Sequence, residues 1–131
     1  GTLNVTGNAD ISGAEGIFEV DRNGGSFLAD LLNVGGDVNV DGATITLINT
    51  GDALVLGDEF DLIDALGSIV GSAIFDDSGL NLDPGLSLDT STFNSDGIVS
   101  VVPEPSAYAA IFGVFVLGMA WMRRRYRNYV I

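Results

Sequence analysis

The side chains that could do chemistry in this sequence are almost all carboxylates. Its 131 residues include 18 Asp and Glu but no Cys, no His and no Lys. The acids gather at Asp58, Glu59, Asp61 and Asp64, and again at Asp76 and Asp77. Paired carboxylates can hydrolyse glycosidic bonds, but no base or nucleophile with a pKa near neutrality accompanies them. We therefore predict no catalytic residues and no enzyme, with a polysaccharide-active β-helical enzyme as the weaker alternative.

Calcium binding is a second use for such acids. Asp76, Asp77 and Asp83 surround a glycine in the stretch DDSGLNLD, and carboxylate oxygens near a glycine turn suit Ca²⁺. The stretch DRNGG at 21–25 has a similar composition. Neither matches the EF-hand spacing or the glycine-rich nonapeptide of calcium-binding β-rolls. Solvated turns are the expected role of these aspartates, so we predict no cofactor and keep Ca²⁺ at the three aspartates as the alternative.

The charges fall into two separate blocks. Residues 1–102 hold 17 acidic residues and one basic residue, Arg22, which gives a net charge of −16. The other four basic residues are Arg123, Arg124, Arg125 and Arg127. A body this acidic repels phosphates, so we expect no nucleic acid partner, and the basic block at the opposite end indicates a separate task.

The C-terminal stretch VVPEPSAYAAIFGVFVLGMAWMRRRYRNYVI contains an apolar run that ends at these arginines. Residues 107–122 carry no charge and no Pro. As a helix the run spans about 24 Å, slightly less than the membrane's apolar core of about 30 Å, and snorkelling arginines with Trp121 at the interface can supply the difference. We predict one transmembrane α-helix over 107–122, with the basic tail 123–131 in the cytoplasm. A buried core helix is the alternative.

The order of VPEP, apolar helix and RRR resembles the PEP-CTERM sorting signal of Gram-negative bacteria, whose substrates are processed by a membrane-embedded exosortase. This resemblance implies that Pro103, Glu104 and Pro105 are the recognition element and that Arg123–Arg125, with Arg127, form the basic stop. It also implies a protein that passes through the inner membrane as a precursor and then reaches the cell surface, extracellular polysaccharide or biofilm matrix. The tail YRNYVI departs from the pattern, because it is longer and more apolar than expected. A permanently tail-anchored envelope protein is the alternative.

The elements that must position these residues are short strands. Apolar fragments such as TLNV, TITLI and LSL alternate with Gly, Asn and Asp, a pattern typical of strands joined by tight turns. Val38 with Val40, and Ile45 with Leu47, place apolar side chains on one face. We predict an all-β fold for 1–102, with a β-solenoid-like or a β-sandwich-like body.

An internal repeat favours the solenoid. LNVTGNADISG from Leu3 aligns with LNVGGDVNVDG from Leu32, which places Asn8 over Asp37. A fixed offset of this size is typical of stacked coils, although a Gly-rich composition alone also produces some similarity. The region resembles autotransporter-associated β-strand repeat proteins. Because the chain begins with Gly1 and carries no signal peptide, we expect 1–102 to be the C-terminal part of a longer array and 103–131 to be the sorting signal.

Overall fold

The computed structural model describes residues 1–105 and 114–123, and this part of the chain is mostly β. Thirteen strands and one short helix occur in the described residues up to Pro105. In chain order they are β1 (Thr2–Val5), β2 (Ala9–Asp10), β3 (Glu15–Asn23), β4 (Ser26–Ala29), β5 (Leu31–Val34), β6 (Val38–Asn39), β7 (Thr44–Asn49), β8 (Glu59–Asp61), β9 (Ile63–Ala65), β10 (Ile69–Val70), β11 (Ile74–Gly79), β12 (Leu86–Asp89), α1 (Phe93–Asp96) and β13 (Ile98–Pro103). The prediction of a β fold for the body is confirmed in its coarse form, since these residues are mostly β with one short helix, α1.

Three successive coils of chain lie on top of one another. Each coil gives one strand to each of three parallel ladders, which are ordered β1-β5-β9, β2-β6-β10 and β3-β7-β11. Strand β4 pairs antiparallel with the end of β3 on the side away from β7, so the third sheet has four strands in the order β11-β7-β3-β4. We call β1 to β4 coil 1, β5 to β7 coil 2, and β9 to β11 coil 3. Leu3 lies opposite Leu32, as the repeat predicts, so the 29-residue offset is confirmed. Leu32 in turn lies opposite Ile63, and this second step is 31 residues long.

The core runs through the middle of the stack. Strand alternation points every second side chain inward, and in coil 2 the inward residues Val34, Val38, Ile45 and Leu47 are almost completely buried. Neighbouring coils cover them from both sides, because β5, β6 and β7 each have a parallel strand on either side. Burial of such side chains contributes roughly 1.5–3 kcal/mol each, so the stacking of coils is the main source of stability.

An antiparallel sheet and α1 pack against the stack, where they contact β4 of coil 1 and β11 of coil 3. Strand β13 lies between β12 and β8, and both pairings are antiparallel. We call this sheet, with α1, the cap. Phe93 of α1 is buried and contacts Phe75 of β11 edge-on, with ring centroids 4.9 Å apart. The aromatic contact fixes the cap on coil 3.

Candidate functional site

The Pro-Glu-Pro segment lies where the cap ends. Pro103 is the last residue of β13 and faces Leu86 of β12. The N–H of Glu104 donates to the carbonyl oxygen of Gly85 at 2.9 Å, and Pro105 is exposed. Pro103 and Glu104 of the predicted recognition element are therefore half-buried and contact the cap, whereas Pro105 is exposed.

The predicted membrane segment falls only partly within the described residues. Residues 107–113, with Arg124, Arg125 and Arg127, lie outside them. Residues 114–123 are helical, and their apolar side chains, including Phe115, Leu117 and Trp121, are exposed. Arg123 is the last helical residue described. Within 1–105 and 114–123, no helix combines the length and the apolar character needed to cross a membrane.

An ion pair that the sequence analysis missed connects coil 1 to the cap. The Nε of Arg22 lies 3.1 Å from Oδ2 of Asp58, although its N–H is not aligned for a hydrogen bond. Asp58 is only 4% exposed, and its Oδ2 also accepts the N–H of Val55 at 2.9 Å. Next to this pair, Phe27 of β4 contacts Phe60 of β8 edge-on. The occurrence of a single basic residue among 17 acids was the signal that could have drawn attention to Arg22.

The other acids near Asp58 do not join it in a site. Glu59, Asp61 and Asp64 are exposed. Partial desolvation raises the pKa of Asp61, and the charges of Asp64 and Asp96 raise it further. The fold thus gives this cluster one paired carboxylate, Asp58, and three exposed ones.

The three aspartates considered for calcium are exposed. Oδ1 of Asp76 accepts hydrogen bonds from the Ser78 hydroxyl at 2.6 Å and from the Ser78 N–H at 3.1 Å. These two bonds, first from the side chain and then from the backbone, lower the pKa of Asp76. The N–H of Asp83 donates to Leu54 in a bridge between loops. Among residues 1–105 and 114–123, no group of three or more acidic residues is arranged to hold a metal ion.

Polar residues of the repeat connect one coil to the next. Oδ1 of Asn8 accepts the N–H of Asp37 at 2.9 Å, and Oδ1 of Asp37 accepts the N–H of Ser68 at 2.8 Å. Oδ1 of Asp10 accepts the N–H of Ser12 in the same coil at 3.0 Å. These carboxylates and amides satisfy turn N–H groups, which is the role that Asp and Asn ordinarily have in turns.

Comparisons with known proteins add no family to these observations. No protein-family model matches the chain, and searches of curated proteins and of solved structures also find no match.

Proposed function

We propose that this chain is an exported, non-enzymatic protein of the cell surface or extracellular matrix, with a β-solenoid body and a PEP-CTERM-type sorting signal at its C-terminus. The observation that carries the proposal is the order of Pro103–Glu104–Pro105, an apolar run and RRR, which begins at the last residue of the last strand of the body. The parallel sheets with their offsets of 29 and 31 residues support the solenoid class. A structural or adhesive role, with polysaccharide as a partner, agrees with a surface of solvated acids.

The physical basis of the sorting step is a temporary membrane anchor. An apolar helix over 107–122 followed by four arginines would hold the precursor in the inner membrane with its C-terminus in the cytoplasm. The two prolines would keep the segment before the helix extended. The membrane-embedded exosortase would then meet Glu104 at the outer interface and remove the tail, while the body remains outside.

The first experiment tests the topology. A reporter fused after Ile131 should stay in the cytoplasm of the precursor, and a reporter inserted before Pro103 should be exported. The reverse orientation would contradict the proposed anchor.

The second experiment tests the processing. In cells with the matching exosortase, mature protein should lack Trp121 and all four terminal arginines, as measured by mass spectrometry. Glu104→Ala should leave membrane insertion intact while precursor accumulates. Glu59→Ala is the matched control, because Glu59 is an exposed glutamate on a cap strand and its removal should not alter processing. If the Trp121 region is retained in the unsubstituted protein, the permanent tail anchor replaces the sorting proposal.

A further inference from the structure

We infer that the exposed face of coil 1 is a docking surface for another coil of polypeptide, stacked in the same direction, that carries an Asn or Asp at its turn. The site for that side chain is made by Gly7 and by the N–H of Asn8. This inference concerns coil 1 and does not depend on the proposed sorting function.

The apolar interior of the stack is open on this face. Leu3 is 66% exposed, while its register partner Leu32 in coil 2 is 8% exposed. The next residue in the same row, Ile63, is completely buried. A concave opening of about 470 Å³ lies here, and Leu3, Ile11 and Phe18 contribute to its lining. Strand β4 pairs with the end of β3 on this side, so the open part of the face is made by β1, β2 and the start of β3. Over this part, the row that each later coil covers has no covering coil.

Turn hydrogen bonds give the docking surface a direction. The residues before β2, β6 and β10 are Asn8, Asp37 and Ser68. The N–H of Asp37 donates to Asn8 and the N–H of Ser68 donates to Asp37, so each coil accepts the turn N–H of the coil that follows it. The N–H of Asn8 occupies the same position in coil 1, and within the described part of the chain no acceptor meets it. An Asn or Asp from a coil stacked on this face would supply the acceptor.

Gly7 is the third observation, and it points to the same side chain. The glycine before each turn residue is Gly7 in coil 1, Gly36 in coil 2 and Gly67 in coil 3. A Cβ on Gly36 would overlap Oδ1 of Asn8, and a Cβ on Gly67 would overlap Oδ1 of Asp37. Glycine is therefore required in coils 2 and 3 by the Asn or Asp of the preceding coil.

Nothing in coil 1 itself requires glycine at position 7. A Cβ on Gly7 would meet no atom within 4 Å, and the φ angle of Gly7 lies outside the left-handed region. In coils 2 and 3, the Asn or Asp of the preceding coil lies against a glycine and accepts a turn N–H. Coil 1 presents the same two features on its outer face, namely Gly7 and the N–H of Asn8.

The same geometry favours a coil in the same direction over a second copy facing this one. Two copies related by a two-fold axis would each present the N–H of Asn8 at the turn. Neither copy would offer a turn acceptor on this face, because Oδ1 of Asn8 already accepts the N–H of Asp37 on the other side, and buried N–H groups without acceptors are costly. A coil with the polarity of coils 1 and 2 presents its acceptor there instead.

The test extends the full 131-residue chain at its N-terminus with a copy of residues 1–18 followed by an 11-residue Gly-Ser linker, which maintains the observed offset of 29 residues and leaves β4 in place on β3. Hydrogen exchange at the Asn8 amide should slow at least tenfold in the extended chain. Replacement by Ala of the added Asn that corresponds to Asn8 should restore the faster exchange. Unchanged exchange at Asn8, or an added copy that contributes no β signal in circular dichroism, would overturn the inference.

Gly7→Ala provides the second measurement. In the unextended chain it should leave the melting temperature unchanged or slightly higher, because alanine restricts the unfolded chain. In the extended chain it should lower the melting temperature. Gly36→Ala is the control and should lower it in both chains. Equal tolerance of Gly7→Ala in both chains would contradict the inference. Protection of the Asn8 amide from exchange in the unextended chain, if it were lost on dilution, would also contradict the inference. It would show that a second copy of the chain covers this face.

Discussion

The ion pair between Arg22 and Asp58 gives the sharpest test of how coil 1 is joined to the cap. Arg22→Met removes the charged group and keeps much of the apolar stem. Asp58, at 4% exposure, would then be a carboxylate with little access to water. Its remaining partner would be the N–H of Val55 at 2.9 Å, so most of its hydration would be lost without an opposite charge to replace it.

The expected cost follows from this burial. Removal of one partner of a buried ion pair costs about 3–5 kcal/mol. Arg22 is 19% exposed and its Nε–H is not aligned with the carboxylate, so we expect the lower end, about 3 kcal/mol. Asp58→Asn keeps an acceptor for Val55 and removes the charge. The double substitution leaves no buried charge, and its cost should be smaller than the sum of the single costs by about 2 kcal/mol.

Urea unfolding of the full chain, followed by circular dichroism, measures these differences. With a slope of about 1–3 kcal/mol per M, Arg22→Met should move the midpoint by roughly 1–3 M. The midpoint shift of Arg22→Met/Asp58→Asn should be clearly smaller than the sum of the two single shifts. Strictly additive costs in the cycle would refute the argument, since they would mean that the two charges do not interact in the folded protein.

Two further substitutions test the electrostatics and the backbone of the cap. Asp61→Asn should raise the melting temperature at pH 7, because a raised pKa means that the ionised carboxylate costs stability in the fold. This gain in melting temperature should shrink as the pH falls through the raised pKa and vanish below the ordinary pKa of 3.8. A gain that persists below that pH would contradict the argument. Gly97→Ala should cost clearly more than Gly85→Ala: both glycines have φ in the left-handed region, but a Cβ on Gly97 would overlap the carbonyl oxygen of Ile63, whereas one on Gly85 meets open space. Equal melting temperatures for the two glycine variants would show that the cap relaxes freely around α1.

The first step of the stack could be predicted from sequence because coils 1 and 2 use identical residues at equivalent positions. Leu3, Asn4 and Val5 lie opposite the same three residue types in β5. The side-chain Nδ2 of Asn33 donates a hydrogen bond to Oδ1 of Asn4 at 3.0 Å.

Coil 3 could not be recognised in this way. Its strand β9 reads IDA where β5 reads LNV, because an inward position requires an apolar volume and does not require a particular residue. The spacing also changes from 29 to 31 residues. The additional length is accommodated between β7 and β9, in residues 50–62, so an alignment at constant offset loses the register.

The cap and the ion pair were beyond sequence reasoning for a different reason. The alternation in Val99 and Val101 shows that β13 buries one face, but alternation does not reveal whether the partner strand runs parallel or antiparallel. Arg22 and Asp58 are distant in sequence, and only the packing of the β3–β4 hairpin against β8 brings them together. Such contacts depend on tertiary geometry that no local pattern encodes.

Pro103 joins the fold to the proposed sorting segment for a simple reason of hydrogen bonding. Strand β8 pairs with β13 only at positions 98–100, so by Pro103 the strand has β12 as its single neighbour. A proline has no N–H to donate, and it is tolerated in a sheet where one side of the strand is free. One further hydrogen bond, from Glu104 to Gly85, follows before the chain leaves at Pro105. The residue at which β13 has only one neighbouring strand is therefore also the first residue of the proposed recognition element. An enzyme that reads Glu104 would have to act at the edge of the cap or open the hydrogen bond from Glu104 to Gly85.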